Sequence, residues 1–350
     1  MLRFATSGPG DVSALRRAFD ERRLDPRNVV AILGKTEGNG GVNDFTREYA
    51  HHAYASLLAE RMKLTRDDVD ARVALVMSGG TEGVLSPHVT VFARVPDDSA
   101  APEGPRLAIG VAVTRDFLPE EIGRGAQITQ TASAVAAALD DAGITRASDV
   151  HFVQIKCPLL TAARVEEAKR RGHATVTDDA YASMGYSRGA SALGVALALG
   201  EVMGPIADEA VLTRWDLASA VASTSAGIEL LRNVVIVMGN ATGVPGFLAI
   251  AHSVMSDAID LPGAAKAFAG FAPERIVNVF AKAEASPDGA IRGERHTMLD
   301  DTDISATRHA RAALGGLLAG LAGTSSIYVS GGAEHQGPPG GGPVAVIGEA

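Results

Sequence analysis

Ser223-Thr224-Ser225-Ala226-Gly227-Ile228-Glu229 lies between an apolar segment at 215–222 and an apolar run at 234–238. A serine followed by two small residues can present its hydroxyl beside an open backbone N–H. Such a pair can attack a carbonyl and hold the oxyanion that forms. Small-residue turns between strands are common, so one such stretch decides little. This one has two companions: Val76-Met77-Ser78-Gly79-Gly80 before it and Val329-Ser330-Gly331-Gly332 after it.

Working outward from each serine, the same order of features recurs. In the first pass an apolar strand at 27–33 delivers Lys35, and Thr46-Arg47 opens a helical segment. That segment carries Tyr49, Ala50, Ala53, Tyr54, Leu57 and Leu58 at helical spacing. A strand at 72–77 then ends at Ser78, another follows at 89–94, and the Pro- and Asp-rich stretch 96–105 reads as a linker. In the second pass a strand at 107–113 precedes an amphipathic helix at 129–142 closed by Gly143. A strand at 150–155 delivers Lys156, Ser187-Arg188 precedes a small-residue helix through Leu199, and Ser225 leads to the strand at 234–238. The third pass has a strand at 247–252, a helix from 256–259 onward and a strand at 276–280 delivering Lys282. Thr307-Arg308-His309-Ala310-Arg311 then opens a helix through Leu321, and a strand at 327–329 ends at Ser330.

The lysine-to-serine spacings are 43, 69 and 48 residues, too long and uneven for a short-period solenoid. The pattern predicts three copies of one α/β unit, over 1–99, 106–242 and 248–350, each with strands covered by helices.

The 350 residues suffice for such a plan, and 46% hydrophobic with 21% charged residues is ordinary for a globular protein. A net charge of -9 without a basic stripe argues against nucleic acid as a partner. The start lacks an apolar signal region, and the apolar run near 190–199 is too short and too rich in Gly and Ala to span a bilayer. No membrane partner and a cytoplasmic location are therefore expected. The single cysteine, Cys157, excludes an internal disulfide and a cysteine-built metal site, and reads as a small buried residue. Gly34-Lys35-Thr36 is not a P-loop, because the glycine required five positions earlier is Val29. No Gly-x-Ser-x-Gly elbow surrounds the repeated serines, and Ser-x-x-Lys, His-Glu-x-x-His and Cys-x-x-Cys are absent. His51 and His52 have no ligand spacing and read as helix residues.

Three serines, three lysines and three arginines in one repeated order predict a site on a pseudo-threefold axis, suited to a ligand with three similar carbonyls. Each arginine can donate a fork of hydrogen bonds to a carbonyl oxygen or a ring anion. A lysine beside a serine can serve as its base once its ammonium is depressed toward neutrality, and crowded cations have that effect. Glu37 and Glu284 each lie two residues after their lysine. On an extended backbone they share its face and keep Lys35 and Lys282 protonated. Lys156 has Pro158 at that place, which makes it the lysine best able to be neutral.

Several longer stretches resemble the ring-opening amidohydrolases, the family of cyanuric acid hydrolase and barbiturase. They are Gly34-Lys35-Thr36-Glu37-Gly38-Asn39-Gly40, Met77-Ser78-Gly79-Gly80-Thr81-Glu82-Gly83, Val153-Gln154-Ile155-Lys156-Cys157-Pro158, and Ser183-Met184-Gly185-Tyr186-Ser187-Arg188-Gly189-Ala190. Phe280-Ala281-Lys282-Ala283-Glu284-Ala285-Ser286-Pro287 and Ser330-Gly331-Gly332-Ala333-Glu334-His335-Gln336-Gly337 complete the set, which spans nearly the whole chain. The resemblance implies three similar α/β units around a pseudo-threefold axis, with strands forming a central barrel-like core and helices outside. It implies hydrolytic opening of cyanuric acid to carboxybiuret, which loses carbon dioxide to give biuret. By the same resemblance the nucleophile is Ser225 and its base Lys156. The substrate contacts fall on Arg47, Ser78, Gly79, Arg188, Ala226, Ser330 and Gly331, with Lys35 and Lys282 contributing to binding. The third arginine is Arg308 by the Thr-Arg repeat and Arg311 by the family pattern; the two are three apart, near one helical face, and Arg311 is the one expected to contact substrate. A structural magnesium or calcium is implied at Glu284 with Ala333, Gln336, Gly337, Pro338 and Gly341, carbonyl-rich surroundings that suit a hard cation. No organic cofactor and a homotetramer are implied. Competing readings are barbiturase activity, a non-catalytic binder of a cyclic imide, and a structural threefold assembly protein.

Overall fold

The chain is a mixed α/β protein, seen in a computed structural model that describes residues 1–94 and 103–350. Most of the linker expected over 96–105 lies outside the described residues. The elements in chain order begin with β1 (Leu2–Ala5), α1 (Ser13–Asp20), β2 (Val29–Thr36), α2 (Phe45–Met62), α3 (Arg66–Asp70), β3 (Ala74–Gly79) and β4 (His88–Ala93). There follow β5 (Arg106–Val113), α4 (Gly125–Ala142), β6 (Val150–Pro158), α5 (Ala162–Arg170), α6 (Ala180–Ala198), β7 (Ala222–Gly227) and β8 (Val234–Ala241). The last stretch holds β9 (Leu248–Met255), α7 (Leu261–Phe268), β10 (Ile276–Ala283), a short hairpin of β11 (Ala290–Ile291) and β12 (Glu294–Arg295), α8 (Ala306–Ala322), β13 (Tyr328–Gly331) and β14 (Gly342–Glu349).

Apart from the hairpin, the strands form three four-stranded sheets, ordered β1-β4-β2-β3, β5-β8-β6-β7 and β9-β14-β10-β13. In each the chain lays down its first, second and third strands and then inserts the fourth between the first and the second. The second and third strands pair in parallel. A parallel pair needs a long crossover, which α2, α6 and α8 supply.

Local signals place those three helices. Asp44 caps α2 by accepting from Thr46 N, and Asp179 caps α6 by accepting from Ala182 N. Ser305 precedes α8, which ends at Gly323 in the left-handed region (φ 66°).

Each sheet buries one face against its own helices. The opposite faces meet in a shared cluster that includes Leu33, Val76 and Phe92, Phe152 and Met238, and Ile250, Phe280, Tyr328 and Ile347. The Phe280 ring lies 5.1 Å from Phe152 and 5.7 Å from Tyr328, centroid to centroid. Ile32 faces the helices while Ala31 and Leu33 face the shared cluster, so both faces of β2 are buried. That explains why these strands read as unbroken apolar runs rather than alternating ones.

The expected barrel-like core is corrected in one respect: among the described residues no closed barrel forms, and the three sheets remain separate hydrogen-bonded units. The lysines sit inside their strands rather than beyond them, since β2, β6 and β10 continue through Lys35, Lys156 and Lys282. The helix expected from 256–259 begins only at Leu261. Asp260 caps it and also accepts from Ser256 N and Oγ, which folds 256–260 into a turn. Strand β14, unforeseen, is central in its sheet although its run Gly342-Pro343-Val344-Ala345-Val346-Ile347 is plainly apolar. No helix among the described residues is long and apolar enough to cross a membrane.

Candidate active site

Parallel pairing puts each repeated lysine opposite its serine. Lys35 is registered with Ser78, Lys156 with Ser225 and Lys282 with Ser330. Side chains at one register position project to the same face of a sheet, so each pair is delivered together. Lys35 Nζ donates to Ser78 Oγ at 3.2 Å and to Gly79 O at 3.1 Å. Lys282 Nζ donates to Ser330 Oγ at 3.1 Å and to Gly331 O at 3.0 Å. The middle pair departs from this pattern. Lys156 Nζ donates to Met77 O at 2.9 Å and meets Glu229 Oε1 at 3.0 Å, while the buried Ser225 Oγ has no hydrogen-bond partner.

The lysines also join the sheets. Lys156 of the second sheet reaches the Met77 carbonyl of the first, and Lys282 of the third reaches the Thr224 carbonyl of the second at 2.7 Å. Lys35 instead sits 5.5 Å from the centre of the Tyr328 ring of the third.

Arg47, Arg188 and Arg311 project from α2, α6 and α8, and each meets a glutamate from the serine turn of another sheet. Arg311 donates to Glu82 through Nε at 2.7 Å and Nη2 at 2.6 Å. Arg188 makes the same fork to Glu334, with Nε at 2.7 Å. Arg47 Nε stands 3.5 Å from Glu229 and leaves its Nε and Nη2 without hydrogen-bond partners. The cycle closes: the first sheet's glutamate holds the third arginine, the second sheet's faces the first arginine, and the third sheet's holds the second. These glutamates were missed in the sequence reading, although each lies four residues after its repeated serine. Two of the three arginine forks expected for a ligand are thus already engaged by carboxylates.

Ten of the sequence-predicted residues surround one small cavity. They are Arg47, Ser78, Gly79, Lys156, Arg188, Ser225, Ala226, Arg311, Ser330 and Gly331, joined by the unforeseen Gly40 and Met184. The free space is ≈ 20 Å³, about enough for one water. Gly40, Met184, Arg188, Arg311 and Gly331 also border an outer cavity of ≈ 470 Å³ that includes Arg308. Arg308 remains outside the inner cavity, its Nε 3.1 Å from Glu82. Lys35 and Lys282 lie behind their serines and do not line it.

Burial is the first cause of the shift at each of the three repeated lysines. It pushes Lys35 well below its ordinary value, aided by the Arg311 guanidinium. It brings Lys282 down to about 7, aided by Arg188. Burial also lowers Lys156, with the Glu229 carboxylate working the other way. The expectation that Lys156 is the lysine best able to be neutral, with Lys35 and Lys282 kept protonated, is therefore corrected: all three are pushed down, and the one opposed most by a carboxylate in direct contact is Lys156, because Glu229 arrives from the turn after β7, a contact invisible in linear spacing. Glu37 does not act as expected on Lys35, because β2 ends at Thr36 and Glu37 points to solvent. Burial opposes ionisation of Glu229, but Lys156 and Arg47 outweigh it and hold the carboxyl below its usual value.

The residues expected to hold an ion form a loop against the end of β10. Burial, and then Glu334, push the Glu284 carboxyl up, so its anion has too little compensating charge. A Cβ on Gly340 would lie 2.9 Å from Ser286 Cβ, and one on Gly341 2.1 Å from Met255 O, so the loop needs glycine to close in. The Gln336 side-chain oxygen accepts from Thr224 N at 2.7 Å, which leaves its backbone carbonyl for a ligand role. Among the described residues no cluster of three or more His, Cys, Asp or Glu side chains has metal-binding geometry. A buried carboxylate beside a Gly- and Pro-rich loop suits a hard cation rather than a transition metal, although the Ala333 and Pro338 carbonyls of the expected set already accept from Gln336 N and Gly341 N.

Residues 1–349 match the family model described as amidohydrolase ring-opening protein. A cyanuric acid amidohydrolase of Bradyrhizobium diazoefficiens is 62% identical, over 99% of this chain and 97% of its own. One from Pseudomonas sp. (strain ADP) is 57% identical, over 100% of this chain and 99% of its own. A solved cyanuric acid hydrolase superposes with a TM-score of 0.97 at 57% identity, covering 99% of this chain and 98% of that one.

Proposed function

The chain belongs to the ring-opening amidohydrolase family, and from that premise we propose that it hydrolyses cyanuric acid by opening the ring. One observation carries this reading beyond the names of the relatives: the three repeated serines, the three arginines and Lys156 line one cavity, and a single serine hydroxyl there, that of Ser225, is unpartnered. A ring with three equivalent carbonyls matches three serine turns around one cavity.

In the proposed reaction the Ser225 hydroxyl oxygen attacks one ring carbonyl, and its proton passes to the neutral amine of Lys156. The Ala226 N–H lies beside the developing oxyanion. The carbonyl reforms as the carbon–nitrogen bond breaks, and the Lys156 ammonium returns its proton to the leaving nitrogen. Water then hydrolyses the acyl-serine to free carboxybiuret, which loses carbon dioxide to leave biuret. The Ser78 and Ser330 turns, held by Lys35 and Lys282, bind the other two carbonyls. Arg47, Arg188 and Arg311 bind the ring from the helix side. Burial of Lys156 supports a neutral fraction, since it disfavours the ammonium.

The unit boundaries 1–99, 106–242 and 248–350, around a pseudo-threefold axis, belong to the same proposal. The common strand order and the closed arginine–glutamate cycle support them. So does a structural magnesium or calcium at Glu284 and the loop after Ser330, where an ion would neutralise the buried carboxylate. A cytoplasmic homotetramer rests on the family resemblance, and light scattering checks its size.

Release of biuret and carbon dioxide from cyanuric acid by the purified protein tests the reaction. Turnover of barbituric acid with none of cyanuric acid would replace this substrate by the barbiturase one. Tight binding of either ring without turnover would make the protein a binder.

A further inference from the structure

The three serine turns share the pattern Ser-x-x-x-Glu, but the middle one is built differently. In the outer two a glycine with positive φ follows the serine by two: Gly80 at 108° and Gly332 at 78°. An arginine lies over each, so a Cβ on Gly80 would come within 2.5 Å of Arg311 Nε and one on Gly332 within 2.3 Å of Arg188 Nε. The matching Gly227 lies inside β7 and is not in the left-handed region. Its own Glu229 folds back over it, so a Cβ there would meet Glu229 Oε2 at 2.2 Å. That path carries Glu229 Oε1 to 3.0 Å from Lys156 and only to 3.5 Å from Arg47.

We propose that Glu229 is the positioning residue that makes Lys156–Ser225 the working pair: it holds the lysine head group by an ion pair, keeps it from closing onto the serine as its two counterparts do, and sets the pH at which it gives up its proton. The proposal rests on the reading of Ser225 and Lys156 given above. The charged groups facing Glu229 are Lys156 from β6, Arg47 from α2 with Asp44 3.7 Å from it, and Arg164 from α5, whose Nη2 donates to the carbonyls of Ile228 and Leu230. Across a cavity of ≈ 460 Å³ lie His51, Asp67, Asp70, Arg72, Asp116 and Arg232. Lys156 itself faces Glu229, Arg47 and the Cys157 thiol.

Removing the carboxylate leaves burial and Arg47 acting on Lys156, so its pKa falls. The acid limb of kcat/KM in Glu229→Gln should move to lower pH by about 1–3 units, the range for a lost opposite charge at this distance. Its plateau kcat should fall while KM changes less. Glu82→Gln, which frees an arginine but touches no unpaired serine, should raise KM and leave the limb in place. Lys156 titration followed by 15N NMR reads the same shift without turnover. If the wild type opens no cyanuric acid ring, the functional reading fails, and the NMR titration still decides the role of Glu229. A limb and a titration unmoved in Glu229→Gln overturn the inference. Should that variant not fold, Glu229→Asp decides: its shorter side chain should lower kcat, and wild-type turnover together with wild-type titration overturns the inference.

Discussion

Lys156 and Ser225 face each other across the parallel strands β6 and β7, yet the ammonium donates to Met77 O and Glu229 and the hydroxyl has no partner. At the equivalent places Lys35 and Lys282 hold Ser78 and Ser330 by hydrogen bonds of 3.2 and 3.1 Å. One serine in three is free to react.

Ser225→Ala should therefore reduce kcat by at least about 10³-fold, as loss of a nucleophile does, with the melting temperature unchanged. The residue loses one unpartnered oxygen and no packing. Ser78→Ala and Ser330→Ala should be milder and act mainly on KM. Parallel kinetics and thermal melts decide, and a Ser225→Ala enzyme with near-wild-type kcat assigns the attack elsewhere.

Lys156→Arg should be as inactive as Lys156→Ala. A guanidinium keeps the charge but cannot supply a neutral amine near neutral pH. Lys35→Ala and Lys282→Ala should raise KM more than they lower kcat, since those lysines sit behind their serines. Steady-state kinetics on the four variants check this, and an active Lys156→Arg enzyme removes the base role from that residue.

A chelator should lower the melting temperature of the wild type and leave that of Glu284→Ala almost unmoved. An ion present at ~100 times its Kd contributes about 2.7 kcal/mol to the folded state, and loss of its one carboxylate forfeits that. Differential scanning calorimetry with and without magnesium or calcium reads it. Catalysis that stops on chelation with no change in melting would make the ion catalytic instead.

Acid stability should reflect the histidines that burial lowers, His88, His151, His252 and His335. Burial lowers His88 and His151 to about 4, the latter aided by His252 at Nδ1–Nδ1 2.8 Å, and it lowers His252 as well. Their unfolded value is about 6.5, so the unfolded chain binds more protons between the two values. The stabilisation they give is complete above about 6.5 and is lost as pH falls toward about 4. Melting temperatures should thus drop through this window, and His151→Asn with His252→Asn should flatten the upper part of the drop. Equal slopes in wild type and double variant would refute this.

Much of the architecture was legible in the chain itself. Apolar runs ending in lysine or serine, and arginines opening helices, are local patterns, and their threefold recurrence is visible without coordinates. Lys35, Lys156 and Lys282 are read as delivered by strands and grouped with the repeated serines, but their place inside β2, β6 and β10, in parallel register with those serines, comes from the structure. The family follows from the same stretches. Strand β14 went unread although its composition announces it, while the late start of α7 depended on how Asp260 spends its carboxylate.

What the sequence by itself determined is which residues recur and on which elements they ride, since propensity, periodicity and capping act over a few positions. Only the tertiary structure decided how the three recurrences differ. The sequence assigns Glu229 no role and gives Lys156 a proline, Pro158, where Lys35 and Lys282 have a glutamate. Folding brings Glu229 to 3.0 Å from Lys156, because the turn after Ser225 takes a path that the glycines after Ser78 and Ser330 do not. The arginine–glutamate cycle joins residues 146 and 229 positions apart, as in Arg188–Glu334 and Arg311–Glu82. Contacts of that span, and the burial that shifts each lysine, arise from the packing of one sheet against another, which no local pattern encodes.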